Sequence, residues 1–348
     1  MSAIARFRPI LAVLALLGLA IGLAWASART LAALGKWLGI DTPDGNLIAG
    51  LGVGTSEAIA AAILAGVVVL EIATRGFAAS TPGRITRSLR PTHRSDLFFA
   101  LAAVTALSPM IALIGTLGAG MAIRQAIDPS AGWRLSADWP LWLAVPATFV
   151  LGDFLAYWVH RALHRDAMWP LHAIHHAARD LTPMTAARGH PIDDFLVNLP
   201  GPVVALLLGA PEHAVLSVQI AVFVHSAVSH SSLPFPLWLE RGLLAGPRLH
   251  RVHHGVRRED HDHNFAILPA WDLLFGTYRL EPGAPPPSGV EDPRYDTGNP
   301  PRDLVVATAI WIGGLASMAG SAIRAGRAIA RRATTSIRPA ETPAGTGR

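Results

Sequence analysis

The residues in this chain that can do chemistry are its histidines. Fourteen of the fifteen fall between His160 and His263. They recur in HxxxH and HxxHH spacings: His160 with His164, His172 with His175 and His176, and His250 with His253 and His254. On a helix, residues three or four apart lie on one side with Cβ atoms about 5–6 Å apart, so each cluster projects as a single face. Imidazole is the commonest protein metal ligand near neutral pH, because its nitrogen is then largely unprotonated. Eight such rings exceed what one four-coordinate zinc can use. They suit two metals, or one metal with a wide ring of supporting groups. Asp153 lies seven residues before His160, and Tyr157 lies between them at helical spacing. Both share that face and are candidate catalytic residues, expected to hydrogen-bond the non-ligating ring nitrogens and so orient the rings.

The elements that carry these clusters belong to a membrane protein by composition. Apolar residues make up 51% of the 348, charged residues only 15%, and mean hydropathy is +0.38. Cysteine is absent, which excludes disulfides, thiolate ligands and iron–sulfur clusters and discourages a structural zinc finger. The formal net charge is +5 and rests almost wholly on arginine, with Lys36 the one lysine. The arginines sit in short runs beside apolar stretches, a pattern of membrane topology and lipid headgroup contact rather than nucleic-acid binding.

A span of the hydrocarbon core takes about 20 apolar residues. Pro9–Ala28, Leu47–Leu70, Leu97–Ile123 and Trp139–Val159 qualify. The first also resembles a cleavable signal peptide at Ala24–Ala28, but the apolar runs that follow favour an uncleaved span. Glu57 interrupts the second span and is read as lying near an interface. Arg75, Arg84, Arg87, Arg90 and Arg94 form a dense basic loop, which the positive-inside rule places in the cytoplasm. Counting crossings from there brings His160 out on the cytoplasmic side. Phe195–Ala210 and Ala214–Val224 are apolar but short, and are expected to form a re-entrant hairpin. Leu304–Ile323 is a further full-length apolar run. The fold expected is therefore all-α: a multi-span transmembrane helical bundle with a cytoplasmic histidine-rich helical cap. Its divisions are N-terminal spans over 1–130, a catalytic unit over 131–280, a Pro- and Gly-rich surface linker over 281–302, and an apolar helix with a basic tail over 303–348.

Not every histidine carries the same expectation. His93 and His213 are isolated and read as interfacial or loop residues. His261 and His263 lie in an acidic stretch and read as solvated or supporting groups. His190 is balanced between supporting group and site wall. Arg161, Arg165 and Arg251 are expected to meet lipid phosphates or carboxylates.

Over roughly residues 145–280 these motifs resemble the fatty acid hydroxylase / sterol desaturase superfamily of integral-membrane non-haem di-iron enzymes. The resemblance rests on Asp153, Tyr157–Trp158, His160–Arg161 and His164; on His172, His175 and His176; on Pro247–Gly255; on Asp262–Phe265 and Trp271–Tyr278; and on Arg188–Pro191 with Asp193. It implies two iron ions held by His160, His164, His172, His175, His176, His250, His253 and His254. It also implies a ninth ligand between the second and third boxes, for which His225 fits best and His230 is an extra candidate.

The activity implied is O2-dependent hydroxylation or desaturation of a lipid, chemistry that side chains cannot perform without a redox cofactor. Ligand type alone leaves iron, copper, zinc and nickel open. No flavin or nicotinamide fingerprint and no fused haem carrier is legible, so a separate electron donor, a reductase, ferredoxin or cytochrome, is expected. The expected location is a bacterial inner membrane. Two other readings compete. A membrane zinc lipid hydrolase would work without oxygen, and lacks an HExxH box here. A haem or metal carrier would place bis-histidine sites differently along its spans.

Overall fold

The computed structural model describes residues 55–104, 138–210 and 212–336. Among them the regular structure is helical, and an isolated bridge between Gly255 and Ser288 is the one β-type pairing. The expected span Pro9–Ala28, the first part (47–54) of Leu47–Leu70 and the latter part (105–123) of Leu97–Ile123 lie outside the described residues.

Helices α1 (Thr55–Arg75), α2 (Thr81–Arg87) and α3 (Pro91–Val104) form the N-terminal part. Their join is set by Glu71, which is fully buried and accepts from the Thr81 and Ser232 N–H groups at 2.8 and 2.7 Å. A buried carboxylate needs such donors, since an unpaired one is expensive in an apolar setting.

Helix α4 (Leu141–Leu163) runs from apolar sequence into the first histidine box. Packed against it are α7 (Pro200–Leu208) and α8 (Glu212–His230), where Gly152 faces Gly201 closely enough to bring the α4 and α7 backbones together. Helices α5 (Trp169–His176), α6 (Pro191–Asn198) and α10 (Pro247–His253) are short, and each begins with proline in its first turn, where the missing N–H costs nothing. Short α9 (Leu237–Glu240), α11 (Arg258–His261) and α12 (Pro269–Phe275) complete this part.

Residues 281–302, expected as a surface linker, lie mostly at the surface but are pinned to the core at a few buried positions. Val290 and Tyr295 are buried with Ala173 and Ile174 of α5, with Ala177 just after it, and with Ala307. The Gly289 N–H donates to the His254 carbonyl. The Pro and Gly content signals turns, but the apolar residues between those turns find a helix face to cover.

Helix α13 (Pro300–Ser336) follows. Among the described residues, two helical stretches are long and apolar enough to cross a membrane: Leu141–Leu163 and Pro300–Ala325. Only 6% of the second is buried in the protein, so its apolar side chains, Val305, Ile312 and Met318 among them, face outward.

Candidate metal centre

Four helices, α4, α5, α8 and α10, converge on one point, and the histidines are what they bring. His160, His164, His172, His176 and His253 each place a ring nitrogen within 4.8 Å of the others. His175, His230, His250 and His254 form a second such group. The helical period explains the division. His172 and His176 are four apart and share a face of α5, while His175 looks to the other group. On α10, His250 and His254 pair at the same spacing, and His253 looks back to His160 and His164.

The back side of the rings is organised by backbone carbonyls. His160 Nδ1 donates to Phe265 O at 2.8 Å, His253 Nδ1 to His263 O at 2.7 Å, His175 Nδ1 to Arg188 O at 2.8 Å and His230 Nδ1 to Ser226 O at 2.7 Å. His172 Nδ1 donates instead to Asp193, 2.9 and 3.1 Å from its two oxygens. A carbonyl or carboxylate can only accept, so each of these Nδ1 atoms carries the proton. In a neutral ring the Nε2 atom is then a bare lone pair.

Those bare nitrogens face each other. Nε2 of His160 lies 3.1 Å from that of His172 and 3.0 Å from that of His253. In the second group, Nε2 of His230 lies 3.3 Å from that of His175. Two lone pairs at hydrogen-bond distance with no proton between them repel. Protonation does not relieve this: burial, reinforced by neighbouring imidazoles, holds His164, His176, His250, His253 and His254 well below the ordinary histidine pKa, and takes His175 down to about 3. A cation does. Ligand nitrogens about 2.1 Å from a shared ion lie about 3.0–3.4 Å apart at octahedral or tetrahedral angles, the separations found here. Both ring nitrogens of His164, and Nδ1 of His176 and His254, are also buried without a hydrogen bond among the described residues. The donor set fits two divalent transition-metal ions.

The supporting loops follow from buried carboxylates. Asp272 accepts from the Phe265 and Ala266 N–H groups and the Thr277 hydroxyl. Asp153 accepts from Ile267 and Leu268 N–H, both at 2.9 Å. Asn264, at φ 58, is fixed by hydrogen bonds to Leu249 O and to Arg279 N and O. Segment 263–268 is thereby shaped so that two of its carbonyls meet His253 and His160. Arg188 does the same elsewhere: its fully buried guanidinium joins Ile174 O, Asp96 and Asp296, while its own carbonyl holds His175.

Several residues sit elsewhere than the sequence suggests. His225 is outside both groups, with Nε2 2.6 Å from Ala245 O; His230, five residues on and more than a quarter turn round α8, takes the place in the cluster. Asp153 and Tyr157 meet no imidazole nitrogen. Asp153 anchors the loop, and the Tyr157 hydroxyl pairs with Thr277 and Arg161 while its ring stacks on Phe275. The expected contact fails because the carbonyls of 263–268 already fill the back of His160 and His253. His190 caps α6 through Nδ1 and reaches Thr308 of α13 through Nε2, so both nitrogens are occupied. His261 is buried rather than solvated, stacked on Trp169 at 4.4 Å, and lines a cavity of about 220 Å3 beside His164. His93 is likewise buried, bridging Ser88 O and Asp180. Arg251 turns inward to Ser231 O.

Comparison with known proteins agrees with this geometry. The fatty acid hydroxylase family model matches residues 145–277, which hold all the clustered histidines. Through this segment the chain is similar to proteins of the fatty acid hydroxylase / sterol desaturase superfamily. Relatives in the superfamily include an ornithine lipid hydroxylase of Rhizobium tropici, 28% identical over 47% of this chain and 50% of that protein. A human alkylglycerol monooxygenase is 31% identical over 39% of this chain and 30% of its own length. A Delta(7)-sterol 5(6)-desaturase of Aspergillus fumigatus is 28% identical over 40% of each. The chain thus spans half or less of these curated relatives. No solved structure matches it significantly.

Proposed function

We propose that this chain is a membrane-bound, O2-dependent lipid oxidoreductase that hydroxylates or desaturates its substrate at a pair of iron ions. The observation that carries the reading is the set of facing, unprotonated Nε2 atoms in two adjacent groups, which a pair of cations would satisfy. The choice of iron and of oxidation is supported by the superfamily and by relatives named as a hydroxylase, a monooxygenase and a desaturase.

In this reading His160, His164, His172, His176 and His253 hold one ion, and His175, His230, His250 and His254 hold the other. Bound iron supplies the oxygen-activating redox chemistry that amino-acid side chains lack. The chain's own part is to fix the tautomers of His160, His172, His175, His230 and His253 through their Nδ1 partners and to keep the site dry. Phe265 packs edge-on against His160 and His164, and the aromatic group of Tyr157, Trp271 and Phe275 stands behind it. The exposed apolar side of α4, with Leu151 and Trp158, faces where lipid would lie. A lipid substrate then needs only lateral movement to reach the site, and electrons come from a separate donor.

The test is metal analysis of the purified protein together with lipid mass spectrometry of cells with and without the gene. Two irons per chain and a lipid that gains one oxygen or loses two hydrogens are expected. A metal-free protein, or an unchanged lipid profile with full expression, contradicts the proposal.

A further inference from the structure

The two imidazole groups are not backed alike. In the four-ring group the backing groups are neutral: Arg188 O behind His175 and Ser226 O behind His230, with Nδ1 of His254 unpartnered. In the five-ring group, His160 and His253 also rest on carbonyls, but His172 rests on a carboxylate. Both His172 and Asp193 side chains are under 5% exposed, so the pairing is scarcely screened by water. His164 approaches a second carboxylate, Asp262, but at 3.5 Å, and that group is 38% exposed and shared with Arg258.

The position of Asp193 is itself over-determined. It lies in the first turn of α6, whose start is fixed by His190 capping the Ile192 N–H and by Gly189, where a Cβ would strike the Asp194 carboxylate. His172 is in turn a ring that bridges its group, with its Nε2 3.1 Å from those of both His160 and His176. An anionic acceptor behind an imidazole fixes its tautomer and raises the donor strength of the opposite nitrogen, and loss of such a partner typically weakens metal binding about 10–100-fold.

Resting on the two-metal reading above, we propose that Asp193 is a positioning residue that makes the five-imidazole group the tighter of two unequal metal positions. His172, held by Asp193, presents its Nε2 lone pair as the firmest donor of the nine. The four-ring group, with one ligand fewer and only neutral backing, fills second and empties first.

The experiment is a Co(II) titration of the metal-free full chain in detergent, read by the visible d–d absorption of the bound ion. Wild-type protein should show two phases, the tighter one lost in His164→Ala and retained in His250→Ala. Asp193→Asn should weaken the tighter phase about 10–100-fold and shift its d–d band, leaving the other phase in place. Asp193→Glu, which keeps the charge and displaces the oxygens, should fall between the two in that same phase, and it serves alone if the Asn variant does not fold. A purely structural role would not select one phase. Equal weakening of both phases, or two unchanged phases in both variants, overturns the proposal while leaving the two-metal reading intact. No Co(II) uptake by wild-type protein overturns both.

Discussion

His225 and His230 lie on one helix, and their fates show how much a single ring's surroundings decide. His225 gives Nε2 to Ala245 O, whereas His230 Nε2 faces His175, His250 and His254. His230→Ala should therefore lower iron content by about one ion per chain and abolish turnover, while His225→Ala keeps the metal; elemental analysis of the two variants side by side checks this. The same burial governs acid sensitivity. Unfolded histidines take up protons below about pH 6.5, but His175 in the folded protein resists until about 3, and His176, His253 and His254 are also depressed. The unfolded state binds more protons throughout that window, so the metal-free protein should lose stability as pH falls from about 6.5, at up to about 1.4 kcal/mol per pH unit for each such ring. Thermal melts of metal-free protein between about pH 7 and pH 5 measure it, and a flat profile would sink the assignment of neutral rings.

At the scale of elements, short helices and loops are placed by buried carboxylates and one arginine. Asp153 links α4 to the loop that backs His160, so Asp153→Ala leaves two buried N–H groups unpaired. The expected loss is about 2–4 kcal/mol of stability, with metal retained at permissive temperature, as read by thermal unfolding. Arg188 ties α3 and α5 to the segment before α13 through Asp96 and Asp296. Removing it strands Asp96, which is fully buried, so Arg188→Met should cost about 3–5 kcal/mol. Thermal unfolding reads this as well, and a Tm equal to wild type would show that the hub is dispensable.

For the molecule as a whole, the decisive feature is apolar surface that none of the described residues covers. Helix α13 is held at its start by Asp303 and Ala307, both buried, and by Thr308 against His190; beyond that its apolar residues face outward. If a bilayer covers them, Ile312→Arg should disfavour insertion by about 2.5–3.5 kcal/mol, lowering the membrane-inserted fraction in a topology-reporter assay. Unchanged insertion would mean that this face is covered by protein instead.

The sequence alone determined the histidine clustering and the helical class, because both are local. Helical spacing turns HxxxH and HxxHH into faces whatever surrounds them, and long apolar runs can satisfy their backbone only as helices. It also marked Asp262–Phe265 and Trp271–Tyr278 as part of the family resemblance, without showing what they do. Only the tertiary structure decided which ring joins which group, that His230 and not His225 lies in the cluster, and that carbonyls rather than Asp153 and Tyr157 hold the ring backs. Those outcomes depend on loop backbone brought in from a hundred residues away, as between His160 and Phe265. A carbonyl has no side-chain signature, so spacing could not have announced it.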